Sequence, residues 1–208
     1  MTENPPKLLK NQIENGVKTL RQGGIVAFPT DTVYGLGVPI FNENAVRRVF
    51  EVKQRPFNIA LPVLITSIVQ LKDITVSLSK LGICLAQKFW PGALTLVLFK
   101  SNKVPGIVTA NEKTIAVRMS SHVVPVTLIN SVGTPIIGTS ANMHGKPSPV
   151  TATEVRTQLG DNVDLIIDGG PCPGGVESTI VDLTKDNPVI LREGPISRDE
   201  IQHLYKII

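Results

Sequence analysis

A polar, glycine-rich segment at residues 28–37, FPTDTVYGLG, is the first place where the sequence could bind a ligand. It follows a short buried-strand pattern and carries two threonine hydroxyls, a carboxylate, a phenol and two glycines. Glycines allow backbone N–H groups to approach a ligand closely. The segment matches neither a P-loop nor the GxGxxG dinucleotide fingerprint. It is therefore either an ordinary strand-to-helix turn or a ligand-binding loop.

Two cations, Lys53 and Arg55, stand at the end of a helical pattern, just before Pro56. They are either solvated charges that complement the helix C-terminus or a phosphate clamp. In a clamp, lysine supplies a mobile point charge and arginine a planar fork. Nucleotidyl transfer needs such groups because it proceeds mainly by positioning and electrostatic stabilisation.

Three further segments place small polar groups and an arginine beside predicted strands. Arg118 ends the strand pattern TIAVR, and an arginine at a strand end often binds a carboxylate through two N–H groups. Ser140 and Asn142 directly follow another strand pattern, at the position where α/β proteins place ligands. The segment GGVEST is either a β-turn or a site for a small polar ligand, with Glu177 as a candidate partner for a metal or an ammonium group.

None of these segments contains an activated nucleophile. No GxSxG elbow surrounds Ser140, and the histidines are isolated, so a serine hydrolase, which needs a base and an orienting group, is excluded. No HExxH, EF-hand or Cys/His cluster predicts a metal site, and Cys84 and Cys172 form no CxxC pair. The remaining groups are hydroxyls, backbone amides and cations, which suit an anionic ligand.

Helical and strand patterns alternate along the chain and must position these groups. Several consecutive strands have no helix between them, which predicts an α/β or α+β unit with a mixed sheet and one domain without internal repeats. Pro62, within a strand pattern, predicts an edge position or a bulge. The predicted helices are 7–22, 43–53, 77–89, 123–131 and two opened by capping boxes at Thr151 and Ser197; the predicted strands are 25–28, 59–65, 93–99, 114–118, 135–137, 163–167, 178–181 and 189–191.

Composition excludes several classes of protein. The 208 residues are 42% hydrophobic and 18% charged, which provides a core and excludes a disordered chain. The net charge of +4 permits a phosphate-bearing partner without requiring one. The N-terminal segment MTENPPKLLKNQ lacks the apolar run of a signal peptide, and the longest apolar stretch, residues 59–65, is too short to cross a bilayer. We therefore expect a cytoplasmic protein without a membrane partner.

Seven motifs, taken in order, resemble those of the YrdC-like family of threonylcarbamoyl-AMP synthases. The resemblance runs from about residue 16 to about residue 197, which is nearly the whole chain. The motifs are PTDTVYGLG, the KxR of Lys53 and Arg55, WPGALTLV, TIAVR, the SAN of residues 140–142 with GKPSP, GVEST and ILREGP.

The resemblance implies one YrdC-like domain over residues 1–208, with a twisted mixed β-sheet, flanking helices and a concave basic face, and without the C-terminal domain of longer members. It implies a nucleotidyltransferase that forms L-threonylcarbamoyladenylate and pyrophosphate from L-threonine, bicarbonate or CO₂, and ATP with Mg²⁺. That reaction is the first step of the threonylcarbamoyl-adenosine modification of ANN-decoding tRNAs. The expected partners therefore include tRNA and the threonylcarbamoyl-transferase complex.

The resemblance also assigns roles to residues by matching position, and it assigns none to a metal. Thr30, Arg118, Ser178 and the Gly138 backbone would contact threonine, and Arg55, Thr114, Ser140, Ser148 and Arg192 would contact ATP. The KxR and SxN pairs associated with activity comprise Lys53, Arg55, Ser140 and Asn142. One departure is Ile59, where members usually carry Lys or Asn. It removes one polar nucleotide contact.

Three alternatives remain at this stage. The first is a non-catalytic module that binds double-stranded RNA or tRNA on its basic face, although stacking aromatics are scarce, at 4% of residues. The second is a carbamoyl-adenylate-forming unit like that of hydrogenase maturation proteins, which also carry zinc-finger and acylphosphatase-like segments. The third is a structural partner of the tRNA-modifying complex, in which Lys53 and Arg55 would not matter.

Overall fold

The computed structural model describes residues 7–207. Residues 1–6, the start of the segment predicted not to be a signal peptide, lie outside the described residues. The helices are α1 Lys7–Arg21, α2 Glu43–Lys53, α3 Leu71–Ile74, α4 Lys80–Phe89, α5 Val123–Val132, α6 Ala152–Leu159 and α7 Arg198–Ile207. The strands are β1 Val26–Phe28, β2 Gly35–Gly37, β3 Val63–Ile65, β4 Leu94–Phe99, β5 Thr114–Met119, β6 Ile136–Ile137, β7 Thr139–Ser140, β8 Leu165–Ile166, β9 Thr179–Asp182 and β10 Val189–Arg192.

The strands form two mixed sheets. The smaller has the order β7-β2-β1-β8, and the larger has the order β10-β9-β4-β5-β3-β6. In the smaller sheet β1 pairs parallel with β8 and antiparallel with β2. In the larger sheet β4 is parallel to β9 and antiparallel to β5. The predicted mixed α/β architecture with flanking helices is confirmed.

Helix boundaries follow the capping residues in the sequence. The Asn42 side chain accepts a hydrogen bond from the Ala45 N–H and so begins α2. Ser197 and Glu200 form the reciprocal capping box predicted for the last helix. The Thr151 hydroxyl caps α6, but the reciprocal Glu154 carboxylate accepts from the N–H of Val150 instead of that of Thr151.

Aliphatic side chains make up most of the core, as the low aromatic content predicts. The main cluster joins both sheets to α2, α4, α6 and α7, and a second cluster packs α1 and α5 against β1 and β6. Burial of this apolar surface stabilises the two sheets relative to each other.

The chain passes from the larger sheet to the smaller at Gly138, which separates β6 from β7. Its N–H donates to the Pro62 carbonyl at 2.9 Å. A Cβ at this position would lie 2.3 Å from the Cγ of Leu64, so only glycine fits without a shift.

The prediction for Pro62 was wrong. Strand β3 begins after it, at Val63, and lies between β5 and β6 in the interior of the larger sheet. Because Pro62 precedes the strand, its missing N–H removes no hydrogen bond from the ladder.

Candidate active site

A cavity of about 560 Å³ lies where the two sheets meet beside Gly138. It draws side chains from the end of α2, from β5 and β7, and from the segments around β9 and β10. Nine of the eleven residues to which the sequence assigned a role line it: Lys53, Arg55, Arg118, Gly138, Ser140, Asn142, Ser148, Ser178 and Arg192. Segments far apart in sequence therefore form one polar site.

Two of the predicted residues, Thr30 and Thr114, do not line the cavity. The buried Thr30 hydroxyl donates to the Val33 carbonyl at 2.6 Å and stabilises the turn itself. Its neighbour Thr32 lines the cavity and accepts a hydrogen bond from Arg118 Nη1 at 2.7 Å. In β5 the lining residues are Ala116 and Arg118, whereas Thr114 begins the strand at the far end.

The KxR lysine, Lys53, is buried, with 1% of its surface exposed. Its ammonium donates to the Ser140 carbonyl, the Asn142 carbonyl at 2.7 Å and Asn142 Oδ1 at 3.1 Å. Burial, followed by the Arg55 charge, lowers the pKa of Lys53 to about 7, while Glu177 acts in the opposite direction. All three ammonium protons are used within the protein, so Lys53 ties α2 to the SAN segment.

The KxR arginine, Arg55, is bound differently. Its Nε donates to the Ile59 carbonyl at 3.0 Å and its Nη2 to the Ala60 carbonyl at 2.8 Å, which orients the guanidinium into the cavity. Nη1 makes no hydrogen bond within the described part of the chain and remains available to a ligand. The contact with residue 59 uses the backbone carbonyl, so the change of side chain to Ile59 leaves it intact.

Arg118 is held at the floor of the cavity by three partners. Its Nε donates to the Gly92 carbonyl, its Nη1 donates to Thr32, and its Nη2 lies 2.7 Å from the Asp31 carboxylate. Nη2 is buried and paired with Asp31, so the guanidinium is fixed in place, and Arg118 contributes a positive charge to the lining of the cavity that would attract a carboxylate ligand.

The pKa of Asp31 reflects this arrangement. Burial alone would raise the pKa of the Asp31 carboxyl, but the Arg118 charge and the hydrogen bond from Ser120 together hold it below its usual value. Asp31 therefore stays ionised and keeps Arg118 in place.

Hydroxyl groups and one carboxylate complete the wall around β9. Ser178 Oγ and Thr95 Oγ1 lie 2.8 Å apart and are buried, so each fixes the other. Glu177 accepts a hydrogen bond from Ser148 and pairs with Arg192. Thr95 was missed as a site residue because it lies within an apolar strand pattern.

The rim of the cavity adds two exposed residues that sequence reasoning also missed, His144 and Lys146. Lys146 belongs to the GKPSP segment and His144 directly precedes it; a hydrogen bond from the Asn142 side chain to the Lys146 carbonyl holds this segment against the SAN segment. The available signal was the place of Lys146 in a quoted motif and of His144 between two motifs. Within residues 7–207, no group of three or more His, Cys, Asp or Glu residues is arranged to hold a metal ion.

The profile of the Sua5/YciO/YrdC family, described as "Telomere recombination", matches residues 18–194. The chain belongs to this family. It is 46% identical over 183 residues to the threonylcarbamoyl-AMP synthase of Pyrococcus abyssi, and it is 43% identical over 192 residues to that of Bacillus subtilis. These alignments cover 88% and 92% of this chain but only 54% and 56% of the relatives. The chain therefore spans about half the length of these two relatives.

Solved structures of the Sua5/YciO/YrdC family share the fold. P. abyssi Sua5, crystallised in complex with L-threonine, superimposes with a TM-score of 0.90 at 44% identity, over 92% of this chain and 56% of that one. E. coli YciO superimposes with a TM-score of 0.85 at 28% identity and 95% coverage of both chains. No helix in the described part of the chain is long and apolar enough to span a membrane.

Proposed function

We propose that this Sua5/YciO/YrdC chain is a nucleotidyltransferase that forms L-threonylcarbamoyladenylate and pyrophosphate from L-threonine, bicarbonate or CO₂, and ATP. One observation carries the proposal: a single cavity is lined both by Arg118, a guanidinium fixed by Asp31 that can attract a carboxylate, and by Arg55, whose Nη1 remains available to a phosphate. The names of the relatives, and the threonine complex of P. abyssi Sua5, support the same activity.

The chemistry follows from these groups. The threonine carboxylate would pair with Arg118, while the hydroxyls of Ser178 and Thr32 supply neutral contacts beside it. The neutral threonine amine adds to CO₂ and loses a proton to solvent, which gives a carbamate. The carbamate oxygen then attacks the α-phosphorus of ATP, and the bond to the β,γ-phosphates breaks to release pyrophosphate. Both reactants are anions, so cations that gather them and offset the charge on pyrophosphate favour the reaction.

The ATP phosphates would meet Arg55 and Arg192, with the hydroxyls of Ser140 and Ser148 nearby. No covalent enzyme intermediate is required, which agrees with a cavity without a nucleophile–base pair. Magnesium would arrive bound to ATP and neutralise phosphate charge; no residue of this chain is assigned to hold it.

The biological role we propose is the first step of threonylcarbamoyl-adenosine formation in tRNA, carried out in the cytoplasm. The product would then pass to a threonylcarbamoyl-transferase that acts on tRNA. The L-threonine complex of P. abyssi Sua5 supports threonine instead of carbamoyl phosphate as the second substrate. HypF, at 18% identity, shares only the fold with this chain and gives no support to carbamoyl-adenylate chemistry.

The test is to incubate the purified chain with ATP, Mg²⁺, bicarbonate and L-threonine while following pyrophosphate and a new adenylate by mass spectrometry. We expect an adenylate that requires both threonine and bicarbonate. Pyrophosphate release that requires carbamoyl phosphate would replace the proposal with carbamoyl-adenylate formation. Tight RNA binding at physiological salt without any adenylate would refute the enzymatic role.

A further inference from the structure

Glu177 is the one acidic residue among those described as lining the cavity. The cavity's other charged side chains, apart from histidine, are the cations Lys53, Arg55, Arg118, Lys146 and Arg192. A carboxylate in such a place repels an anionic ligand, and at short range in a partly desolvated site this repulsion is substantial. A carboxylate in this cavity is therefore expected to make contacts whose benefit to ligand binding exceeds its repulsion of the ligand.

The contacts of Glu177 join two walls of the cavity. Its Oε1 accepts a hydrogen bond from Ser148 Oγ at 2.6 Å, and its Oε2 pairs with Arg192 Nη1. Ser148 follows β7 of the smaller sheet, whereas Arg192 ends β10 of the larger sheet. One carboxylate thus links the loop that follows the smaller sheet to a strand of the larger sheet.

Arg192 is oriented by two further contacts, both with Ser178, the residue that follows Glu177 in the chain. Its Nε donates to the Ser178 carbonyl at 3.0 Å, and its Nη2 lies 3.4 Å from Ser178 Oγ. The carboxylate of Glu177 binds the outer end of the same guanidinium. Arginine side chains lose considerable rotamer entropy when ordered, so holding the fork in place beforehand spares a ligand that cost.

Glu177 also offsets repulsion among the cations. Burial and the Arg55 charge lower the pKa of Lys53, and burial lowers the pKa of Arg55, but the Glu177 charge acts on both in the opposite direction. The carboxylate therefore favours the charged forms of side chains that lie close together.

We propose that Glu177 is a positioning residue that holds Arg192 and Ser148 where the nucleotide meets them, and that this effect outweighs its repulsion of the phosphates. The inference rests on the proposed function, because ATP is taken as the ligand of these two residues. It predicts that removing a negative charge from the cavity weakens the binding of an anion, the reverse of what charge alone would produce.

Glu177→Gln tests this inference because it keeps the side-chain shape and removes the charge. Glu193→Gln is the matched control, since it removes the same charge one residue after Arg192 on an exposed side chain that does not line the cavity. Isothermal titration of the whole chain should give an ATP dissociation constant about tenfold higher for Glu177→Gln and unchanged for the control. The dissociation constant for L-threonine should change less than about twofold in both.

A double-mutant cycle identifies the route of the effect. If Glu177 acts through Arg192, adding Glu177→Gln to Arg192→Met should change ATP binding by much less than it does in the wild type. If Glu177→Gln raised the ATP dissociation constant by the same factor in the wild type and in Arg192→Met, the inference would be overturned. ATP binding as tight as or tighter than wild type in Glu177→Gln, or equal weakening for both ligands, would overturn it too. If Glu177→Gln does not fold, Glu177→Asp, which keeps the charge but shortens the reach to Ser148 and Arg192, must weaken ATP binding in its place, and unchanged binding would overturn the inference.

The two proposals can fail separately. ATP binding that responds as expected, in a chain that forms no threonine-dependent adenylate, would refute only the proposed reaction. Adenylate formation by the wild type, together with unaltered ATP binding in Glu177→Gln, would refute only the positioning role.

Discussion

Replacing Lys53 with methionine is the perturbation whose effect the structure defines best. Methionine has a similar length and fills the buried site, but it donates no hydrogen bond. The carbonyls of Ser140 and Asn142 would each lose the donor that Lys53 provides, and Asn142 Oδ1 would keep only the hydrogen bond from Ser140 Oγ at 2.6 Å. We expect the SAN segment to be held less tightly against α2, with the His144 N–H still donating to the backbone carbonyl of residue 53.

The magnitude follows from the two carbonyls. A buried acceptor left without its donor costs about 1–3 kcal/mol, so two cost about 2–6 kcal/mol. Removal of a buried amine, whose pKa is lowered to about 7 by its surroundings, returns part of this. A net loss of about 2–4 kcal/mol would lower the melting temperature of a domain of this size by roughly 5–15 °C.

Thermal unfolding of Lys53→Met, with Lys10→Met on the exposed face of α1 as the control, measures this loss. ATP titration and adenylate formation should be measured on the same samples below the transition. We expect a large drop in melting temperature for Lys53→Met alone, together with loss of adenylate formation. A normal melting temperature with weakened ATP binding would refute the reasoning, because it would show that Lys53 binds phosphate directly.

Three further perturbations test other parts of the site. Arg55→Ala should lower adenylate formation at least about tenfold at low ATP through loss of one charge-assisted contact of roughly 1.5–3 kcal/mol; unchanged turnover would remove Arg55 from the nucleotide site. The ion pair of Asp31 with Arg118 should stabilise the fold above pH 3.8, the usual pKa of the carboxyl, and this stabilisation should be lost as the pH falls through the lower pKa of the folded state. In Asp31→Asn, the free energy of unfolding should therefore change less steeply with pH in that range than it does in the wild type. Gly138→Ala should destabilise the fold by about 1–3 kcal/mol because its Cβ would overlap Leu64. Combined with Leu64→Ala, which opens space in the core at a cost of its own, it should cost less than the sum of the two single losses; full stability of the single variant would contradict the close approach.

Much of the secondary structure was predictable because its signals are local. Helix α2 occupies the predicted range 43–53, and β4 and β5 occupy the ranges given by their β-branched and aliphatic residues. Strand β2 was missed because its sequence, Gly-Leu-Gly, has low strand propensity; it forms through pairing with β1 on one side and β7 on the other. Pairing partners distant in sequence leave no local pattern.

The residues that line the cavity were predictable where a short sequence motif identifies them. Arg55, Arg118 and Ser178 were all assigned from short motifs, and all line the cavity. Thr30 and Thr32 stand two residues apart in the same motif, and only packing of the turn decides that the second faces the cavity. Spacing alone carries no information about the direction of a side chain in an irregular loop.

What the sequence by itself determined is the order of the elements, the family, and the polar, cationic character of the site, because these depend on residue type and short-range spacing. Only the tertiary structure decided what each cation does. Lys53 and Arg55 are two residues apart and both cationic, yet the lysine is saturated by three acceptors that come from residues 140 and 142, while the arginine fork keeps Nη1 available. The difference arises because the number of acceptors around a charge depends on which distant segments pack against it, and the packing of the two sheets fixes that.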